Sequence, residues 1–583
     1  MCAILGGTNK QWDYSAGIES MKHRGPDGIR IRQYKYATMA FARLAIRDLS
    51  DRAMQPMETE DHNIIVCFNG EIYNADYLKN KLDKKYRFRT CSDTEVLLYA
   101  YKEYGIRFID YVEGMFAISV LDLNHHRLVL YRDRIGIKPL YYYKSLSGFA
   151  FSSELKGVLN TVDDKFEVDE TALYDSITYG YVPVPKTGYK NIFQLEAASF
   201  LIYDLDSERI ISKKRYWDCI VTSSKETIAT EDKEYFYEGF KDRVHKTVKE
   251  QMVSDVEVGT LLSGGVDSSI ITYEAHRYDD SIKAFNIGFD VSDEKYKVFD
   301  ESPYALRFAM DIGCKCISER YNEYDAKKTI DEMYDWYDEP YYFNSCLPTY
   351  NICRVARKNK VKVLLSGDGG DELFCGYKRY KNVHDNLLKH RLRNHNSLIS
   401  DFYYRLFYSR GILRRLGEYI LDEFEYSSLS MDYVSGPRKR ERMKTLGYFI
   451  PRDYDDFWYF RQFDRTDMPL ISRMQYIDFN TYLPDACLKK IDRASMQCGV
   501  EVRVPLCSTE LVEFAFETPE SIIYEEEQLK SIMKHAYSGI IPDYVLNKKK
   551  KGFSMPPYYD EYLARGNMEY RFRLLEGWIA RAV

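Results

Sequence analysis

Apolar residues along this chain keep two rhythms, one of period two and one of helical spacing. Phe41-Ala42-Arg43-Leu44-Ala45-Ile46-Arg47-Asp48 reads as a strand carrying arginines, and Val66-Cys67-Phe68 as an apolar strand that breaks at Asn69-Gly70. A helix follows from Val96 to Tyr104, with Ser92 or Asp93 placed to cap it. From about Asp204 to Glu231 the chain turns polar and charged, which marks a linker between domains. Beyond it the spacing predicts strands from Val256 to Leu262, Ile282 to Phe289 and Val361 to Ser366. It predicts helices from Tyr304 to Ile312 and Pro348 to Lys358. Strands alternating with helices in this way indicate a parallel sheet with helices covering it.

Composition narrows the class. At 583 residues the chain has room for two domains or more. A net charge of -6 and a pI near 6.0 argue against nucleic acid as the main partner. Its twelve cysteines form no CxxC pair, so neither a disulfide framework nor a zinc site is indicated, and they suit a reducing cytoplasm. The start lacks the basic and apolar regions of a signal peptide, and no run of eighteen apolar residues offers a membrane span. A soluble cytoplasmic protein is expected.

Three stretches carry candidate chemistry. Cys2 sits one residue from the terminus, and if Met1 is removed its thiol shares a residue with a free α-amine that can act as its base. Packing is the plainer reading of the same cysteine. Asn69-Gly70 is ordinarily a hairpin turn, yet an amide side chain beside a glycine N–H is also the donor pair of an oxyanion hole. Leu261-Leu262-Ser263-Gly264-Gly265-Val266-Asp267-Ser268-Ser269 follows an apolar strand and opens a helix, with Ile270, Ile271, Tyr273 and Glu274 at helical spacing. A strand, a glycine turn and a helix N-terminus make an anion cradle, and Asp267 adds an oxygen ligand of the kind Mg²⁺ prefers. Neither GxGxxG nor GxxxxGK[ST] occurs, so the usual dinucleotide and Walker sites are not supported.

Met1-Cys2, His23-Arg24-Gly25-Pro26-Asp27, Asn69-Gly70-Glu71 and Ser92-Asp93 together resemble the glutaminase domain of class II glutamine amidotransferases, nearest to the asparagine synthetase family. Ser263 to Ser268 is similar to the pyrophosphate loop of ATP pyrophosphatases, and Ser366-Gly367-Asp368-Gly369-Gly370-Asp371-Glu372 completes the likeness. The resemblance implies an α+β N-terminal-nucleophile domain, an αββα sandwich, over 1–205. After a linker at 206–231 comes an α/β parallel-sheet ATP-pyrophosphatase domain over 232–583. A segment from about Lys381 to Met474 matches no motif and reads as a helical elaboration. By the same likeness Cys2 attacks the glutamine amide, Asn69 and Gly70 hold the oxyanion, Arg43 binds the glutamine carboxylate and Asp93 its amine. Leu44, Ala45, Ile46, Arg47 and Glu71 would line that pocket. In the second domain Ser263, Gly264, Gly265 and Ser268 would cradle the ATP phosphates, with Mg²⁺ on Asp267 and Asp371. Leu262, Ile287, Ser366 and Gly367 would contact the adenosine. Lys550, in the basic run Lys548 to Lys551, would stabilise charge on the adenylate.

Asp368 departs from the pattern, since typical asparagine synthetases carry glutamate there to serve acyl-adenylate formation. The activity implied is therefore Mg·ATP-dependent amidation of a carboxylate with ammonia from glutamine. L-Aspartate is the first candidate acceptor, and another carboxylate, such as a sugar acid of surface-polysaccharide assembly, is the alternative. The partners are these small molecules, with no nucleic acid and no membrane, and there is room for a homodimer. A non-catalytic relative would be marked by loss of Cys2, Asp267 or Asp371, and all three are present.

Overall fold

The computed structural model describes residues 2–219, 230–291, 294–381, 454–549, 556, 559 and 575–580. Two six-stranded antiparallel sheets are built from the first 215 residues, and one five-stranded parallel sheet from residues 258–503. Strand β1 (Ala3–Gly7) shows why the first two sheets stack, because all five of its residues are buried. Successive side chains point to opposite faces. Ala3 and Leu5 accordingly join a cluster with Ile18, Leu155 and Val158 of two helices. Cys2 and Ile4 join the cluster between the sheets.

Strand β2 (Thr38–Arg43) pairs with β1, Ala42 opposite Ala3. Strand β3 (Ile64–Ile72) repeats the division in the second sheet. Ile64, Val66 and Phe68 pack against Leu97 and Leu98 of helix α1 (Asp93–Tyr104), while Ile65 and Cys67 face inward. The layers are helix, sheet, sheet, helix. Ser92 caps α1, its hydroxyl accepting from the Thr94 N–H at 3.1 Å.

Two expectations are corrected in this half. The chain does not turn at Asn69-Gly70: β3 runs through it beside strand β4 (Gly114–Asp122), with Asn69 opposite Ala117 and Gly70 opposite Phe116. A Cβ on Gly70 would stand 2.0 Å from the Met115 carbonyl oxygen, and its φ is +155°, so glycine serves a close strand contact rather than a hairpin. The stretch read as a linker also contains an edge strand. Arg209–Arg215 pairs with Ser199–Asp204, and its charged, exposed side chains are what an unpaired sheet edge carries.

In the parallel sheet, strand β5 (Val258–Leu261) leads into helix α2 (Val266–Tyr278). Strands β6 (Lys283–Phe289), β7 (Lys315–Tyr321) and β8 (Val363–Leu365) follow. Helix α3 (Lys489–Met496) then precedes strand β9 (Glu501–Arg503). The order is β7-β6-β5-β8-β9, all parallel. Helices Ser302–Ile312 and Cys346–Lys358 lie where the spacing predicted helices. Ala284 of β6 packs with Ala305 and Phe308 on one face, and Phe285 and Ile287 pack with Ile352 and Val355 on the other, so both faces are covered. The chain leaves β5 toward β6 and returns on its other side as β8, which puts the switch point between β5 and β8. That crevice is where open α/β sheets bind ligands. Of the segment from Lys381 to Met474, residues 382–453 lie outside the described residues, and Trp458–Arg461 and Leu470–Asn480 are helical.

Candidate functional site

Cys2 precedes β1 on the inner face, and Asn69 continues the inward parity of Ile65 and Cys67 on β3. They meet directly, the Cys2 N–H donating to Asn69 Oδ1 at 2.9 Å. That bond fixes the amide's orientation and leaves Asn69 Nδ2 buried with no hydrogen-bond partner. An orphaned donor costs about 1–3 kcal/mol. Next to a cysteine, it is a group that a developing oxyanion would satisfy. Burial pushes the Cys2 thiol up, and the Leu44 N–H points at its sulfur from 3.5 Å.

Gly70, Arg43, Leu44, Ile46, Arg47, Glu71 and Asp93 line a cavity of about 40 Å³ with Cys2. Ala45 does not line it; its N–H donates to Asp27 at 2.8 Å. The Arg43 guanidinium donates to the carbonyls of Ser50, at 2.8 Å, and Asp48, so the loop after β2 holds it in place. Arg47 pairs with Glu71 at 3.3 Å and Asp76 at 2.6 Å. Glu71 also pairs with Arg503 from the parallel-sheet half at 3.2 Å. Burial, reinforced by the neighbouring Asp93, pushes the Glu71 carboxyl up to about 8. Burial likewise raises Asp93, which accepts from the Ile72 N–H at 3.1 Å. Asp93 and Glu71 stand close enough to repel each other, so a cation placed beside Asp93 is favoured.

At the switch point the two glycine loops touch. A Cβ on Gly367 would stand 2.8 Å from both Asp267 Cβ and the Ser268 nitrogen, which excludes any larger residue there. Gly264 has φ +73°, and its missing side chain leaves room for the Ala305 backbone. Leu262, Ser263, Asp267, Ser268, Ser366, Gly367, Asp368 and Asp371 line one cavity of about 390 Å³. Gly264 and Gly265 form the turn without lining it. Ile287 belongs to the apolar cluster under β6, and Asn286 stands in the wall instead, donating to the Leu262 carbonyl at 2.7 Å.

Asp267 and Asp371 share the Lys530 ammonium, which lies 2.7 Å from Asp371 and also bonds Asp267. Asp267 Oδ1 is buried with no hydrogen-bond partner. Two carboxylates already gathered round one cation are a fitting pair for Mg²⁺, which takes one or two carboxylates and fills its shell with phosphate oxygens and water. Among the described residues no group of three or more His, Cys, Asp or Glu is arranged to hold a metal. Asp368 pairs with Lys490 at 3.1 Å and accepts from the Ser366 hydroxyl. Glu372 lies beside them, bonded by the Tyr377 hydroxyl at 2.5 Å and the Cys487 thiol at 3.2 Å, and burial raises its carboxyl. Lys550 lies outside the described residues. Its neighbour Lys548 reaches the Gly264 carbonyl at 3.4 Å and pairs with Glu301 at 2.6 Å.

Sequence reasoning missed Lys530 and assigned no role to Lys490 or Arg503. Lys530 stands alone among unremarkable residues, with no signal beyond its charge. Lys490 and Arg503 have partners far away in the chain, which only the fold discloses.

A two-sheet sandwich with a cysteine at the head of its first strand, joined to a parallel sheet with two acid-bearing loops at its switch point, defines a glutamine amidotransferase coupled to a synthetase. The comparisons agree: the glutamine amidotransferase domain matches residues 1–217 and asparagine synthase residues 239–578. Asparagine synthetase [glutamine-hydrolyzing] 1 of Bacillus subtilis is 30% identical over 575 residues, 95% of this chain and 87% of that protein. Putative asparagine synthetase [glutamine-hydrolyzing] 2 of Methanocaldococcus jannaschii is 38% identical over 388 residues, 62% of this chain and 72% of its own. A glutamine phosphoribosylpyrophosphate amidotransferase structure from B. subtilis covers 63% of this chain and 82% of that one, at 14% identity and a TM-score of 0.30, too low to carry an argument. The chain belongs to the glutamine-hydrolysing asparagine synthetase family, and is an enzyme of that kind. No helix among the described residues is long and apolar enough to cross a membrane.

Proposed function

We propose that this enzyme makes L-asparagine from L-aspartate, with glutamine as nitrogen donor and ATP as activator. Cys2 Sγ attacks the glutamine side-chain carbonyl, and the tetrahedral oxyanion is met by Asn69 Nδ2 and the Gly70 N–H. Collapse expels ammonia and leaves a thioester, which water hydrolyses to glutamate. Arg43 anchors the substrate's carboxylate and Asp93, with Glu71, its ammonium, so a free amino acid is oriented at both ends. In the larger cavity a carboxylate oxygen of the acceptor attacks the α-phosphorus of ATP and pyrophosphate leaves. Ammonia then attacks the acyl carbon and displaces AMP. Ser263 and Ser268, presented by the turn that Gly264 and Gly265 make, cradle the phosphates, Leu262, Ser366 and Gly367 face the nucleoside, and Asp368 serves the acyl transfer. Asp267 and Asp371 would hold Mg²⁺, which when bound offsets charge developing on the phosphates. Lys530 adds positive charge to the same end, and stabilising the adenylate is the role the family pattern gives Lys550.

The observation that carries this reading is the unpaired Asn69 Nδ2 beside Cys2, together with the family of the chain. A second acceptor, a sugar acid, is favoured by Asp368. Its shortened carboxylate is already bonded to Lys490 and Ser366, and the same cavity is lined by Phe343, Tyr377 and Tyr482. Pyrophosphate release with ammonia and a panel of carboxylic acids tests the choice. L-Aspartate should give the highest kcat/KM; release confined to uronic acids would replace it.

A further inference from the structure

Helix α3 joins the two sites. It emerges from a π-helical turn at Leu483–Leu488, and Ile491 and Lys490 line the ATP-side cavity, Lys490 reaching Asp368 at 3.1 Å. Two residues on, Asp492 faces the other half. Its two oxygens accept from Arg24 Nη1 at 2.8 Å and Nη2 at 3.1 Å, and Lys138 Nζ lies 3.5 Å away. Arg24 Nε donates to the Cys2 carbonyl at 3.2 Å. Glu154 accepts from Arg24 at 2.8 Å and pairs with Arg493, the next residue of α3, at 2.7 Å.

Arg24, Lys138, Glu154 and Arg493 have fully buried side chains and that of Asp492 is 1% exposed, so all five charges have lost their water. Such a network is costly to desolvate and weak as a source of stability; what it supplies is a single geometry. Here that geometry ends on the nucleophile. Cys2 is gripped on both sides, its N–H by Asn69 and its carbonyl by Arg24, and the direction of Arg24 is set by a bidentate partner belonging to the synthetase half.

We propose that Asp492 is a positioning residue for glutamine hydrolysis, contributed by the synthetase half and acting on Cys2 through Arg24. The inference rests on the amidotransferase reading above. It goes further by making the glutaminase nucleophile depend on the helix that also carries Lys490 to the ATP site.

The test is Asp492→Asn in the full chain, measured in two reactions. Glutamine hydrolysis should lose about tenfold in kcat with KM for glutamine within threefold. Ammonia-dependent pyrophosphate release, with whichever acid supports it, should stay within twofold. Asp492→Glu, which restores the carboxylate, should recover most of the lost kcat. Equal losses in both reactions, or unchanged glutamine kcat, would overturn the proposal. If Asp492→Asn does not fold, Arg24→Lys keeps the ion pair but not the Nε bond to Cys2, and it should show the same fall confined to glutamine; a normal kcat there also overturns it. Failure of the underlying reading looks different, because the wild-type enzyme would then release no glutamate from glutamine.

Discussion

Lys530→Met removes the ammonium shared by Asp267 and Asp371. The Lys530 side chain is 6% exposed and the two carboxylates 15% and 16%, so screening by water is slight. Stripping the partner from a buried ion pair costs about 3–5 kcal/mol. Since the carboxylates keep some solvent, the lower end applies, about 3 kcal/mol. At about 2.1 cal/mol/K of unfolding entropy per residue, a domain of about 350 residues shifts by roughly 1.4 °C per kcal/mol, so the synthetase transition should fall by on the order of 4 °C. Mg²⁺ should reverse this, because a cation binding only the native state at a hundred times its Kd returns about 2.7 kcal/mol. Wild type should gain less, since there Mg²⁺ competes with a lysine already in place. Differential scanning calorimetry with MgCl₂ and with EDTA, without nucleotide, reads both effects. Equal Mg²⁺ shifts in the two proteins, or no loss of stability in the variant, would refute the carboxylate pair as a cation site.

Other expectations follow from single contacts. Asn69→Ala deletes the orphaned donor and should lower glutamine-dependent kcat by about 10²–10³, the usual cost of one oxyanion donor, with ammonia-dependent synthesis intact. In Gly367→Ala the new methyl would stand 2.8 Å from backbone and Cβ atoms of the opposite loop. Pyrophosphate release should drop at least tenfold while glutamine hydrolysis, assayed as glutamate, continues. Glu71 binds its proton more tightly folded, at about 8, than unfolded, near ~4.3. The fold therefore loses stability as pH rises from about 4 through 8. Thermal melts at pH 6 and pH 9 should show a smaller drop in Glu71→Gln than in wild type.

The chemistry most readable from sequence was the chemistry that is local. The Ser263–Ser268 and Ser366–Glu372 strings each carry their glycines and acid within a few residues of a strand end, so placing both on one rim needed only the strand-helix alternation. Cys2 and Asn69 were recoverable as a pair because each belongs to a recognisable string. Asn69-Gly70 itself misled, since the dipeptide has the same preference in a hairpin as in a strand where a neighbouring carbonyl presses on the glycine. Ile287 packs in the apolar cluster while its neighbour Asn286 stands in the cavity wall, because a one-residue step along a strand reverses the face. Partners joined only by the fold left no trace. Lys530 lies 263 residues from Asp267, and Asp492 lies 468 residues from Arg24, and no periodicity links positions so far apart.

If ammonia joins two separate sites, one at Cys2 and one at the Asp267–Asp371 pair, removing the first should leave the second working. Cys2→Ala tests it most directly, with amide product, AMP and pyrophosphate quantified under glutamine and under ammonium chloride. Glutamine should then give no product, and ammonia near wild-type product. Loss of both activities in a folded variant, or synthesis from glutamine that survives the substitution, would contradict it.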